Sequence, residues 1–255
     1  MKRRDFLTGA ATGLALGAGA TYAITNSGPK SGTAPKAPAI TKGKREWKMV
    51  TTWPEKFPGL GTSAERLAQR ITAMSDGALT VKVYGSGTMV PAMGSFDAVA
   101  QGSVEMGHGA SYYWQGKSKA FNFFAAVPFG LTGPELSAWI HWGGGQALWD
   151  EGYAKFGLKP FLAGNTGVQM GGWFKKEIHS MEDFRGLKMR MPGLGGETLR
   201  RVGATAESLA GADIFPALSS GRIDATEWVG PWNDLAFGFY KIAKNYYWPG
   251  FHEPG

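Results

Sequence analysis

The chain has 255 residues, 43% of them hydrophobic and 18% charged, with 10 Trp, 39 Gly and no Cys. That is long and apolar enough for a packed core and too aromatic for a disordered chain, and the lack of Cys excludes disulfides, thiolate chemistry and lipoprotein attachment. The net charge of +7 invites a nucleic-acid reading, but residues 1–45 carry all of the excess and residues 46–255 hold 19 basic and 19 acidic side chains, so no nucleic-acid partner is expected.

In chain order, Lys2-Arg3-Arg4-Asp5-Phe6-Leu7 is followed by an apolar Gly/Ala run and then by Ala18-Gly19-Ala20 and Thr21-Tyr22-Ala23. A charged start, a short apolar middle and a small-residue exit predict a signal peptide over residues 1–23, cleaved after Ala20 or Ala23. The Arg-Arg pair before Phe-Leu fits the twin-arginine export route, which places the mature chain in the periplasm; an uncleaved anchor is the alternative. Residues 24–45 are rich in Pro, Gly, Ser, Thr and Lys and read as a flexible linker.

The body then alternates. Residues 46–53 read as a strand and 54–61 as a loop. Thr62 and Glu65 have the spacing of a capping box that opens a helix to about residue 74. A strand at 79–84, a helix from Pro91 to about 101 and a short strand at 104–106 complete a β-α-β-α-β order. That order predicts a parallel, doubly wound sheet, with ligand-facing loops such as 53–61, 85–90 and 107–113 at strand carboxyl ends. Residues 134–153 read as one helix weakened by Gly143-Gly144-Gly145, and 158–163 and 168–174 as strands. A capped turn at Ser180, a strand at 187–191 and a helix at 194–202 follow. Asp213 is placed as the cap of a helix that Gly221 stops, then come a strand at 223–226 and a helix after Pro231. The pattern predicts two α/β lobes, 46–165 and 166–255, crossing over near 164–168. Residues 249–255 offer no closing element, so the chain reads as a truncated frame.

Catalytic signatures are sparse. There is no G-x-S-x-G, and His108, His141, His179 and His252 are too dispersed for a His-based metal site. Gly193-Leu194-Gly195-Gly196 lacks the next glycine of a dinucleotide loop, since residue 198 is Thr. His108 reads as a structural or pocket-wall residue. Binding chemistry is better represented. Strand alternation puts Lys188 and Arg190 on one face, with Arg190 near the carboxyl end, where a guanidinium grips a carboxylate or else forms an ion pair. Gln169 offers an amide oxygen to a cation or a nitrogen to a ligand oxygen. Glu227 suits a hard cation or a cap, and Trp228 an apolar wall or the core. Tyr112, Tyr113 and Trp114 line the opposite lobe or fill its core.

Three blocks in order carry a family resemblance. They are Gly164-Asn165-Thr166-Gly167-Val168-Gln169-Met170-Gly171-Gly172-Trp173-Phe174, then Phe184-Arg185-Gly186-Leu187-Lys188-Met189-Arg190-Met191-Pro192-Gly193, then 218–231 with Asp224-Ala225-Thr226-Glu227-Trp228-Val229-Gly230-Pro231. From about Trp47 onward the chain resembles the DctP-type substrate-binding proteins of TRAP transporters, nearest to the branch for 2-oxo acids and related small monocarboxylates. The resemblance implies a two-lobed α/β periplasmic binding protein fold of type II-like form, with mixed sheets flanked by helices and a ligand cleft between hinged lobes. It implies a non-enzymatic receptor that takes a small carboxylate together with a metal cation, Na⁺ or Ca²⁺, and delivers it to TRAP membrane subunits. By motif, Arg190 meets the ligand carboxylate. Gln169, Glu227 and the backbone of Trp228 hold the cation, with Gln169 and the Trp228 ring also at the ligand. Tyr113, Tyr112 and Phe57 form the first-lobe wall. A homodimer of the full-length protein is also implied.

A buried Glu227 would repel a ligand carboxylate unless a cation intervened, so affinity is expected to depend on Na⁺ or Ca²⁺. Arg190→Ala is expected to abolish binding and leave the fold intact. An exported cofactor-dependent enzyme and a Trp- and Gly-rich carbohydrate-binding module remain the alternatives.

Overall fold

The computed structural model describes residues 43–252 and 255, so the signal peptide at 1–23 and nearly all of the expected linker lie outside the described residues. The first strand, β1 (Arg45–Thr51), begins one residue inside that linker, because Arg45 already pairs with Leu79. It is followed by helix α1 (Leu60–Met74), β2 (Leu79–Tyr84), α2 (Ser95–Ala100) and β3 (Met106–His108). β1 lies between β2 and β3 and is parallel to both, as the alternating order predicts.

The helix pair α3 (Gly133–Trp142) and α4 (Gly145–Ala154) stands where one helix was expected; Gly143 and Gly144 separate the two. Here a capping box does form. The Glu135 carboxylate accepts from Thr132 N and Oγ1 at 2.8 and 2.7 Å. These helices close an aromatic core around Phe96, Phe121, Trp149 and Tyr153. Stacking of Phe124 on Trp149, with centroids 5.3 Å apart, extends it.

The second sheet is mixed. It contains β4 (Gly172–Phe174), β5 (Lys188–Arg190), β6 (Thr205–Glu207), β7 (Ala225–Thr226) and β8 (Asn245–Tyr247), in the order β6-β5-β7-β4-β8. β5 runs parallel to β6 and β7, and β4 runs antiparallel to β7 and β8. Helices α5 (Gly193–Arg201), α6 (Gly211–Ser220) and α7 (Pro231–Phe237) connect these strands. Among the described residues no helix is long and apolar enough to cross a membrane.

Several local expectations are corrected. No Thr62–Glu65 box forms, because Glu65 Oε1 instead accepts from Lys56 N at 2.9 Å and the helix begins at Leu60. The third strand lies two residues later than 104–106; Val104 instead packs into a small core with Val50 and Ala98. Residues 158–163 form no strand. Pro160 has no N–H for a ladder, its carbonyl accepts from Gln146 Nε2 at 2.9 Å, and Leu158 and Leu162 pack on the aromatic core. Of 168–174 only Gly172–Phe174 is strand, and of 223–226 only Ala225–Thr226. Asp213 sits in the first turn of α6, whose N-cap is Ala210. Residues 245–247, to which the sequence assigned no element, supply β8, which pairs with β4.

β4 depends on a close backbone approach. Gly172 has φ +127°, and a Cβ there would fall 2.6 Å from the Thr226 carbonyl oxygen of β7. Gly172→Ala is therefore expected to cost about 1–3 kcal/mol, from strain plus displacement of β7. Urea unfolding measures it, and an unchanged midpoint would show that β4 and β7 separate freely.

Between the two sheets lies a closed seam. Trp53 and Phe57, from the segment after β1, join Leu209, Ile214, Leu218, Ile223, Trp228 and Phe239 in one buried cluster. The expected cleft corresponds to this boundary, and in this structure aromatic side chains meet across it.

Candidate functional site

Parallel strands aim their following residues at one end of a sheet. β1 delivers Trp53, β3 delivers Tyr112 and Tyr113 through a 3-10 turn at Ser111–Trp114, β5 ends on Arg190, and β7 is followed by Glu227 and Trp228. These side chains converge on the seam.

Arg190 is its centre, with 1% of its surface exposed. Nη1 donates to the Glu227 carbonyl at 3.0 Å and pairs with Glu227 Oε1. Nε donates to the Leu209 carbonyl at 3.1 Å and Nη2 to the Tyr113 hydroxyl at 3.3 Å. Burial alone would oppose the guanidinium charge, but Glu227, Tyr113 and Tyr112 outweigh it and raise the Arg190 pKa. Burial likewise raises that of Tyr113, which stays a neutral phenol. The Arg190 guanidinium also lies 4.9 Å from the centre of a Trp228 ring, within cation–π range.

Glu227, 2% exposed, is thus ion-paired where the sequence suggested an acid lacking a partner other than a cation. His252 Nε2 lies 3.2 Å from its second oxygen, Oε2. Gln169 completes the group. One end of its amide is 2.7 Å from Thr166 Oγ1; the other is 3.2 Å from Glu227 Oε2 and 2.5 Å from the Trp228 carbonyl oxygen. With Nε2 inward the amide donates to both Glu227 Oε2 and the Trp228 carbonyl and accepts from Thr166; turned over, its oxygen joins the carboxylate and the main-chain carbonyl as a third oxygen. That donor set fits a hard cation such as Na⁺ or Ca²⁺. Among the described residues no group of three or more His, Cys, Asp or Glu makes a different metal site.

Aromatic rings form the walls. Trp228 makes edge contacts with Trp53, Phe57 and Phe237 at 6.1, 6.2 and 5.3 Å between centroids. Phe57 stacks on Phe237 at 4.3 Å and packs edge-on against Trp228. Tyr112 packs edge-on against Tyr113 at 4.8 Å. The residues named from sequence therefore gather at one place: Arg190 meets Glu227, Trp228 and Tyr113, Gln169 reaches Glu227 and Trp228, Tyr112 packs on Tyr113 and Phe57 on Trp228.

Four supporting residues were not foreseen. Asp234 accepts from Trp173 Nε1 and the Tyr246 hydroxyl, both at 2.9 Å, and from Val229 N and Gly230 N at 3.1 and 3.2 Å, so it fixes the turn after Trp228. Burial raises its pKa. Thr166 and His252 reach the site only through the fold. Trp53 is the fourth, and its Nε1 donates to His108 Nδ1 at 2.7 Å, which puts the imidazole proton on Nε2 and gives His108 the structural role expected of it. The Gly193–Gly196 stretch opens α5 and packs against Met191 and His252.

Burial lowers the His108 pKa from 6.5 to about 4. As the pH falls below 6.5 the unfolded chain takes up the proton first, so stability present at neutral pH is lost progressively down to about pH 4. The full difference is about 3 kcal/mol. His108→Gln, which keeps an acceptor for Trp53, is expected to flatten this loss in urea unfolding at pH 7 and pH 4.5. An unchanged difference between the two pH values would assign the effect to another group.

Residues 49–254 match the family model for bacterial extracellular solute-binding protein, family 7, the DctP family. The chain belongs to that family. A DctP-family relative from Nostoc sp. (strain PCC 7120), a monocarboxylate 2-oxoacid-binding periplasmic protein, is 44% identical over all 255 residues, which cover 68% of its length. The crystal structure of a TRAP periplasmic solute binding protein from Pseudoalteromonas atlantica T6c with bound sodium and pyruvate is 47% identical. The match covers 83% of this chain and 64% of that one, with TM-score 0.80. A TRAP transporter solute binding protein from Bordetella bronchiseptica RB50, a dimer with calcium and picolinate in an occupied site, is 40% identical, with TM-score 0.82 over 84% of this chain and 64% of that one. The chain thus spans slightly under two thirds of the length of these solved DctP-family proteins.

Proposed function

We propose that the protein is a periplasmic solute receptor, not an enzyme, which binds a small 2-oxo monocarboxylate such as pyruvate together with Na⁺ or Ca²⁺ and passes it to TRAP membrane subunits. The observation that carries this reading is the sealed Arg190–Glu227 pair beside the Gln169 amide, Glu227 Oε2 and the Trp228 carbonyl oxygen, a set that offers a cation three oxygens once the amide turns its oxygen inward. In this reading Arg190 binds the ligand carboxylate, and Gln169, Glu227 and the Trp228 carbonyl hold the cation.

Charge counting supports it. Arg190 and Glu227 cancel, so a carboxylate entering this buried place brings an unpaired negative charge, which is costly in a low-dielectric interior. A bound cation supplies the missing positive charge and polarises the ligand's second oxygen. Pyruvate and picolinate, the ligands of the two solved relatives, each carry a second donor atom on the carbon that bears the carboxylate, suited to sharing one cation. Tyr113 positions Arg190 through its hydroxyl, while Trp228, backed by Phe57, excludes water. Tyr112 supports Tyr113 on the same side. Halves 46–165 and 166–255 act as the lobes that close on the ligand. The periplasmic relative from Nostoc supports the same location here, reached through a signal at 1–23 with its twin arginines and a linker at 24–45. The Bordetella dimer supports a homodimer.

The test is a thermal-shift panel on the full chain, with pyruvate, 2-oxobutyrate, lactate, C4-dicarboxylates and neutral sugars, each with and without Na⁺ or Ca²⁺. At 100 times its dissociation constant a ligand of the folded state adds about 2.7 kcal/mol of stability. The 2-oxo acids are expected to give that shift, and only with cation. A shift with neutral sugars alone would favour a carbohydrate module.

A further inference from the structure

We infer that Asp234, which touches neither ligand nor cation, acts on the cation site through the Trp228–Val229 peptide and biases that site toward a divalent ion. This rests on the cation-dependent receptor reading above and concerns which ion the site prefers.

One peptide group links the two. Its carbonyl end, Trp228 O, faces the Gln169 amide together with Glu227 Oε2, where the cation is placed. Its other end, Val229 N, donates to Asp234 Oδ1 at 3.1 Å. A negative charge on the N–H side drives electron density toward the carbonyl oxygen, because hydrogen bonds in series polarise one another. The carbonyl oxygen is thereby a stronger cation ligand than an ordinary main-chain carbonyl.

The hydrogen bonds around Asp234 call for a full charge. Oδ1 also accepts from Gly230 N at 3.2 Å, and Oδ2 accepts from Trp173 Nε1 and the Tyr246 hydroxyl, both at 2.9 Å. Indole and main-chain N–H groups only donate, so three of the four partners could not take a carboxyl proton. Two oxygens with two donors each suit a carboxylate. The side chain is 1% exposed, and each of these four partners is neutral, whereas Glu227 has Arg190. Asp234 is thus a buried negative charge held by dipoles, and a nearby cation offsets its cost. Its charge also opposes that of Glu227. With the ligand carboxylate added, three negative charges stand against the one positive charge of Arg190. Ca²⁺ balances that excess; Na⁺ removes half of it.

Coulomb energy scales with the product of the charges, so the fold-loss for Ca²⁺ on removing the Asp234 charge should be about the square of that for Na⁺. The experiment measures, by calorimetry on the full chain, the Na⁺ and Ca²⁺ concentrations for half-maximal pyruvate binding. Asp234→Asn keeps the shape and removes the charge. It is expected to raise the Ca²⁺ value about 10- to 100-fold, the usual range for a group behind a metal ligand, and the Na⁺ value only about 3- to 10-fold. Tyr246→Phe keeps the carboxylate, the Val229 contact and the ring stacked on Trp173 at 3.8 Å, so both values should stay within about threefold of wild type.

If Asp234→Asn does not fold, Asp234→Ser carries the same expectations. A loss for Na⁺ equal to or greater than that for Ca²⁺ overturns the inference, because a distorted turn would weaken both ions alike. So does a wild type that takes Na⁺ and not Ca²⁺. If Ca²⁺ alone supports binding, a loss in Asp234→Asn no larger than in Tyr246→Phe overturns it. Wild-type pyruvate binding that ignores both cations overturns the receptor reading and this inference together.

Discussion

Arg190→Ala is expected to lose pyruvate binding and about 3–5 kcal/mol of stability, the typical cost of stranding one member of a buried ion pair. The structural effect corrects the sequence expectation of an intact fold. Arg190 is joined to Glu227, to the Leu209 carbonyl and to Tyr113, so its removal leaves a carboxylate sealed with only His252 and Gln169 against it. Removing both charges with Arg190→Met and Glu227→Leu should recover much of the stability and none of the binding. Urea unfolding of the single and the double variant beside wild type separates these effects. A single variant as stable as wild type would show that Glu227 does not need Arg190.

Trp228→Ala has the second largest expected effect, again about 3–5 kcal/mol, from the transfer and cavity terms for a large buried aromatic. Trp228 is 5% exposed and meets the rings of Trp53, Phe57 and Phe237 edge-on, so its ring holds the seam together. Its carbonyl, which faces Gln169, survives the substitution. Pyruvate affinity should therefore fall while the dependence on cation persists. Loss of the cation dependence with affinity intact would reverse the roles given to ring and carbonyl.

Much of this site was legible in the sequence because its members sit in compact blocks. Arg190 ends a short apolar strand before Pro192, and Glu227-Trp228 follows another, so strand ends alone marked them as candidates. Thr166, His252 and Asp234 were not legible in the same way. Each acts through a partner brought near by folding: Gly255 for Thr166, Glu227 for His252, Trp173 and Tyr246 for Asp234. Fold elements divide along the same line. The β1–α1–β2 unit follows from local pattern, whereas β6 and β8, three residues each, are strands only because β5 and β4 lie beside them. The Thr62–Glu65 spacing failed for a related reason, since a non-local donor, Lys56 N, took the carboxylate.

The most direct test of the central claim is a calorimetric titration of the full chain with pyruvate in sodium-free, chelator-treated buffer, repeated with Na⁺ and with Ca²⁺. The charge count at Arg190 and Glu227 predicts tight binding with cation and at least a hundredfold weaker binding without it, a difference of about 2.7 kcal/mol or more. Equal affinity in all three buffers would contradict it.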